Sequence, residues 1–116
     1  MKLTLNPSFD PDEALSIVEG DRDLFLELVN LFRENYPSEL SSIRDAIGLR
    51  DSEALWRASH HFKGTLSALA AGPAGDAAAR LEDIGRNEDL TKAAATYTEM
   101  EQHVEALDAA LSDWVN

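Results

Sequence analysis

The residues that most constrain this chain lie between positions 25 and 47. Phe25, Val29, Phe32, Tyr36, Leu40, Ile43 and Ile47 step by 4, 3, 4, 4, 3 and 4, one unbroken apolar stripe at helical period. Pro37 falls inside the stripe, where it removes a backbone hydrogen bond and bends the axis. The stripe keeps its phase on both sides of Pro37, which predicts one long kinked helix rather than two, ended by Gly48. Strand signals are almost absent elsewhere, so the stripe has to be covered by other helices.

The flanking segments supply them. Asp10-Pro11-Asp12-Glu13 is a helix start, with a capping Asp, Pro at the first helical position and carboxylates near the positive dipole end. That short helix stops around Gly20, and Asp21 caps the long one. Asp51 and Ser52 open a third helix running to about Ala70, with Leu55, Phe62, Leu66 and Leu69 inward. Ala71-Gly72-Pro73 is a stop, and Pro73 opens an alanine-rich fourth helix whose buried row is Ala77, Leu81 and Ile84. Tyr97, Met100, Val104, Leu107, Leu111 and Trp114 mark the last. The pattern predicts an all-α fold: an antiparallel four-helix up-and-down bundle with a short extra N-terminal helix.

With 116 residues there is room for one core, so a single domain over 1–116 is expected. Twenty-two acidic residues stand against ten basic ones, a formal net charge of -12. Such a surface repels nucleic acid and anionic bilayers alike. There is no cysteine, no secretory signal and no apolar run near the roughly 20 residues of a membrane helix. A soluble, monomeric, cytoplasmic protein is the expectation.

Helix three also carries Ser59-His60-His61-Phe62-Lys63-Gly64-Thr65. At about 100° per residue its apolar positions agree to within roughly 40°, while His60 lies about 140° round from Leu55. His61 turns a further 100° or so, towards the other flank. Lys63, Gly64 and Ser67 are surface neighbours of His60, and Trp56 precedes it by one turn. A mid-helix Gly64 costs about 1 kcal/mol relative to Ala, and Lys63 beside an exposed imidazole gains nothing for packing. Both choices suit a nucleophilic His60: an empty i+4 position opens space over the ring, and an i+3 ammonium favours a phosphoryl group. An exposed His is commonly only a surface residue, however, and a mid-helix Gly commonly marks close packing. Spacing alone leaves both readings open.

His60-His61-Phe62-Lys63-Gly64 resembles the H-x-[apolar]-K-G signature of histidine-containing phosphotransfer (HPt) domains. Asp51-Ser52-Glu53-Ala54-Leu55 and Leu81-Glu82 are also similar to the family pattern, so the resemblance spans nearly the whole chain. It implies that His60 is the phosphorylated histidine, Lys63 the supporting cation and Gly64 the clearance residue. The chain departs from the pattern at His61, at Ala68 where Asn is frequent, and at Ala70 where Gly is frequent. These departures bear on loop geometry and partner choice.

The implied activity is that of a phosphocarrier. His60 would accept a phosphoryl group from a receiver-domain aspartyl phosphate and pass it to another receiver. The expected partners are response-regulator receivers, a hybrid histidine kinase, or both. The chain needs no cofactor of its own, Mg²⁺ being expected on the partner receiver, and shows no ATP-binding loop. The alternatives are phosphorylation by a separate kinase catalytic domain and a non-phosphorylated helical scaffold. A sensor-kinase H-[ED]-[apolar]-[RK]-T-P segment fits poorly, since His61 and Gly64-Thr65 break it. A metal site fits poorly too, because His60 and His61 diverge and His103 stands alone as a solvated residue. Leu24, Leu28 and Leu31 form a second stripe on the long helix. They either widen the core face or make an apolar patch for a partner near His60.

Overall fold

Three aspartates set the first three helix starts. Asp10, Asp21 and Asp51 each accept a hydrogen bond from the backbone N–H three residues on, at Glu13 (3.2 Å), Leu24 (3.0 Å) and Ala54 (3.0 Å). In the computed structural model, which describes residues 8–115, they precede α1 (Pro11–Ile17), α2 (Arg22–Gly48) and α3 (Ser52–Ala68). Helix α4 (Gly72–Asn87) starts without a side-chain cap. A 3₁₀ turn (Leu90–Lys92) capped by Asp89 leads into α5 (Ala93–Val115). There is no strand among the described residues.

Helices α2, α3 and α4 stop in one way. Arg50, Ala70 and Glu88 each take the left-handed conformation, with φ of 55°, 54° and 60°. After α2 and α3 the next N–H folds back to a carbonyl of the last turn, Asp51 to Ala46 O and Ala71 to Leu66 O, both typical of a Schellman ending. Glycine would be the easier residue at each, and Ala70 is the position where the resembled family often has it. Because of this stop, α3 ends at Ala68 and not at Ala70, and α4 begins one residue earlier than Pro73. The 3₁₀ turn has no counterpart in the sequence pattern.

Short reversals make consecutive helices antiparallel neighbours. Helix α2 packs on α3, α3 on α4, α4 on α5, and α5 closes back onto α2, with α1 resting against α2. The expected four-helix bundle with an extra N-terminal helix is therefore what forms. The α2 stripe faces its interior: Phe25, Val29, Phe32, Leu40 and Ile43 are buried, while Tyr36 and Ile47 are half-buried at its margin. Pro37 is exposed and lies inside an uninterrupted α2, so its missing N–H is on the solvent side. From α3 and its C-cap come Leu55, Phe62, Leu66 and Leu69, and from α5 Tyr97, Met100, Val104, Leu107 and Leu111. Trp114 packs edge-on to Phe25 at 4.9 Å but stays partly exposed.

Helix α4 departs from the expected row. Its inward residues are Ala74, Ala77, Ala78, Leu81, Glu82 and Gly85, whereas Ile84 is only half-buried. The helix is rotated to bring its small residues against α3, the most extensive pairing in the bundle. At Gly85 a Cβ would lie 2.7 Å from the Trp56 nitrogen and 2.9 Å from the Ser52 carbonyl oxygen. Only glycine permits that approach.

Candidate functional site

The close approach of α4 to α3 puts a carboxylate beside the outward histidine. One turn before Gly85, Glu82 lies against α3 with a side chain only 6% exposed. His60 Nδ1 is 2.9 Å from Glu82 Oε2, Lys63 Nζ is 2.6 Å from Oε1, and Arg86 reaches Oε2 through Nη2 at 3.1 Å and Nε at 3.3 Å. The hydrogen bond from Lys63 is the main cause that holds this carboxyl at about 2. Arg86 and His60 add to it, and burial opposes it. Glu82 is thus ionised throughout the neutral range.

That charge fixes the imidazole. An ionised carboxylate can only accept, so Nδ1 of His60 carries the proton and donates it. In neutral His60 the other nitrogen, Nε2, then has a free lone pair. The ring is 60% exposed, and a Cβ built on Gly64 meets nothing within 4 Å, so the surface one turn on from His60 is open. Gly64 has ordinary helical backbone, and unlike Gly85 it has no neighbour packed against it. The arrangement offers one nucleophilic nitrogen to an approaching group, with a buried anion behind it to neutralise charge that develops on the ring.

Of the residues read from the sequence, His60 and Lys63 are brought to one carboxylate and Gly64 leaves the space beside them open. Lys63 is committed to Glu82 Oε1 and does not stand free over the imidazole. His61 diverges, as its helical angle requires. It is 77% exposed on the α2 side, with Nε2 3.3 Å from Glu39 Oε1. His103 lies on α5, 3.8 Å from Glu99. No group of three or more His, Asp or Glu that could hold a metal occurs among the described residues.

Glu82 and Arg86 carry the site but had no assigned role. The signal for Glu82 is a carboxylate in the inward row of an apolar helix, four after Ala78 and one after Leu81, where burial without a partner would be prohibitive.

The second leucine stripe does not join the core as a whole. Leu28 packs against it, but Leu24 and Leu31 are 41% and 54% exposed. Leu28, Leu31 and Phe32 line a groove of about 480 Å³ between α2 and α3, with His61, Thr65 and Leu69 on its other wall. The patch therefore borders His61 and the α2 flank of the site. No helix among the described residues is long and apolar enough to cross a membrane.

Comparison with known proteins gives one family. The Hpt domain model matches residues 27–110. The phosphorelay intermediate protein rdeA of Dictyostelium discoideum is 24% identical over 111 residues, 96% of this chain and 44% of that protein. The chain thus spans less than half the length of this relative. Among solved structures, histidine-containing phosphotransfer protein B of Pseudomonas aeruginosa PAO1 superposes with a TM-score of 0.86 at 25% identity, covering 94% of this chain and 95% of the other. The HPT domain of a sensor hybrid histidine kinase from Shewanella superposes with a TM-score of 0.80 at 16% identity, covering 94% of each, a likeness of fold.

Proposed function

The chain belongs to the Hpt domain family, and from that premise we propose that it is a phosphorelay carrier whose phosphoryl group rides on Nε2 of His60. The observation that carries this reading is the bond from Nδ1–H to the buried, ionised Glu82, which leaves Nε2 unprotonated over the open surface at Gly64.

The transfer balances without moving a proton. The Nε2 lone pair attacks phosphorus of a receiver's aspartyl phosphate, the P–N bond forms, and the bond to the acyl oxygen breaks to return a carboxylate. The ring then bears a positive charge, with its proton still on Nδ1, and Glu82 neutralises it. In the reverse sense the departing group is neutral imidazole, a good leaving group, so the same geometry serves onward transfer to a second receiver. In-line approach is the remaining requirement, and an empty Gly64 permits it. Neutralising the phosphoryl oxygens would fall to the partner receiver, where Mg²⁺ would supply that charge.

The docking face follows from the same surface. Leu31 and the α2–α3 groove adjoin the histidine helix and offer apolar area to a receiver, while on the α3–α4 side Lys63, Arg86 and Arg57 outnumber the two carboxylates they pair with, Glu82 and Glu53. An acidic receiver pocket complements that side.

A panel of purified phospho-receivers, and separately ATP with Mg²⁺, tests the reading. Acid-labile label should pass from at least one receiver to the chain and back, and ATP alone should give none. Labelling by ATP alone would overturn the carrier assignment, and labelling only by a kinase catalytic domain would replace the receiver as donor.

A further inference from the structure

The two oxygens of Glu82 are held differently. Oε1 is taken by Lys63, whereas Oε2 is shared between His60 Nδ1 and Arg86. Arg86 therefore sets where the oxygen that meets His60 can sit. Yet it is a long side chain, 51% exposed, with many rotamers open to it. What limits them is on the neighbouring helix: the guanidinium carbon of Arg86 lies 4.2 Å from the centroid of the Trp56 ring, within the range of cation–π attraction. Arg57, held by Glu53, sets a second guanidinium 5.0 Å from the same ring. The near-contact of backbones at Gly85 and Trp56 brings the indole within reach.

We propose that Trp56 is a positioning residue for the phosphoryl acceptor: its indole pins Arg86 on Glu82 Oε2 and, through that carboxylate, keeps the His60 proton on Nδ1 and Nε2 free. The proposal takes from the carrier reading only the use made of Nε2. Its first readout requires no phosphoryl transfer.

The test is the tautomer state of His60, read from imidazole ¹⁵N shifts of the whole chain across a pH titration, for the wild type, Trp56→Leu and Trp56→Phe. Loss of one cation–π contact should lower the ratio of Nδ1–H to Nε2–H tautomers about fivefold in Trp56→Leu. Trp56→Phe, which keeps an aromatic face, should restore most of it, and His61 and His103 should not move. The rate of phosphotransfer should follow the same order. Arg86→Met removes the guanidinium and leaves the indole, so it must produce the same change; it answers the question if Trp56→Leu does not fold. A wild-type tautomer ratio in folded Trp56→Leu or in folded Arg86→Met overturns the proposal. Label retained by His60→Gln would sink the carrier reading instead, and would leave the tautomer result standing.

Discussion

His60 and His61 are adjacent in the chain, yet they stand in opposite electrostatic settings. On the α4 flank, His60 meets a buried carboxylate that two further cations hold ionised, well below the ordinary range. On the α2 flank, His61 meets Glu39, whose carboxyl burial pushes up and whose Oε1 is buried without a well-formed hydrogen bond. One carboxylate is a fixed anion with a defined acceptor geometry, and the other is poorly compensated. A nucleophile needs one nitrogen reliably unprotonated and a neighbour that keeps its charge, which the α4 flank supplies and the α2 flank does not. Adjacent residues on a helix can thus carry different chemistry because the helices packed on either side differ.

The two glycines near His60 and Glu82 also differ, and the largest expected effect lies there. Gly85→Ala would put a methyl group within 3 Å of α3 backbone, which should cost about 1–3 kcal/mol and, by displacing Glu82, slow transfer. Gly64→Ala meets open space and should gain up to about 1 kcal/mol, while Gly64→Gln should keep the melting temperature and sharply slow transfer in both directions. Thermal melts and transfer time courses on the same preparations check both. A Gly64→Gln variant that transfers normally would remove the clearance role.

Next come the carboxylates, which predict pH effects of opposite sign. Glu82 has a lowered folded-state value, so its stabilisation is complete above the unfolded range near 4.5 and is lost as the pH falls towards 2. Glu39 has a raised value, so its penalty appears as the pH rises through that raised range and is relieved in acid. Glu82→Gln should cost about 1–3 kcal/mol at pH 7 and flatten the acid limb of a stability–pH curve. Glu39→Gln should instead stabilise at neutral pH and cost little in acid. If both variants shift the curve alike, the contrast between the flanks is wrong.

The smallest stability effect belongs to the groove. Leu31 is more than half exposed, so Leu31→Ser should change stability by no more than about 0.5 kcal/mol yet slow transfer from a receiver. A loss of several degrees in melting temperature without slower transfer would return this residue to the core.

Much of the fold was legible because its determinants are local. Aspartate caps, the apolar stripes of α2, α3 and α5, and the break between α3 and α4 near Gly72-Pro73 each act within a few residues. The outward set of His60 follows from helical angle alone, whereas Gly64 is readable from spacing as either clearance or close packing, and only the packed structure shows it open. Glu82 was different. Its burial depends on how α4 is rotated, and that rotation depends on Gly85 and a row of alanines fitting against α3, a fact of two helices together. Ile84 was expected inward for the same reason and is half-buried instead. The left-handed stops at Arg50, Ala70 and Glu88 were illegible because none is glycine.

The central claim is that the α4 flank, and not the α2 flank, makes the carrier. Its most direct test is to phosphorylate the wild type, His60→Gln and His61→Gln with one phospho-receiver and locate the label by mass spectrometry under alkaline conditions. The account predicts label on His60 in the wild type, none in His60→Gln, and substantial labelling in His61→Gln. Phosphate on His61 or His103, or undiminished labelling of His60→Gln, would contradict it.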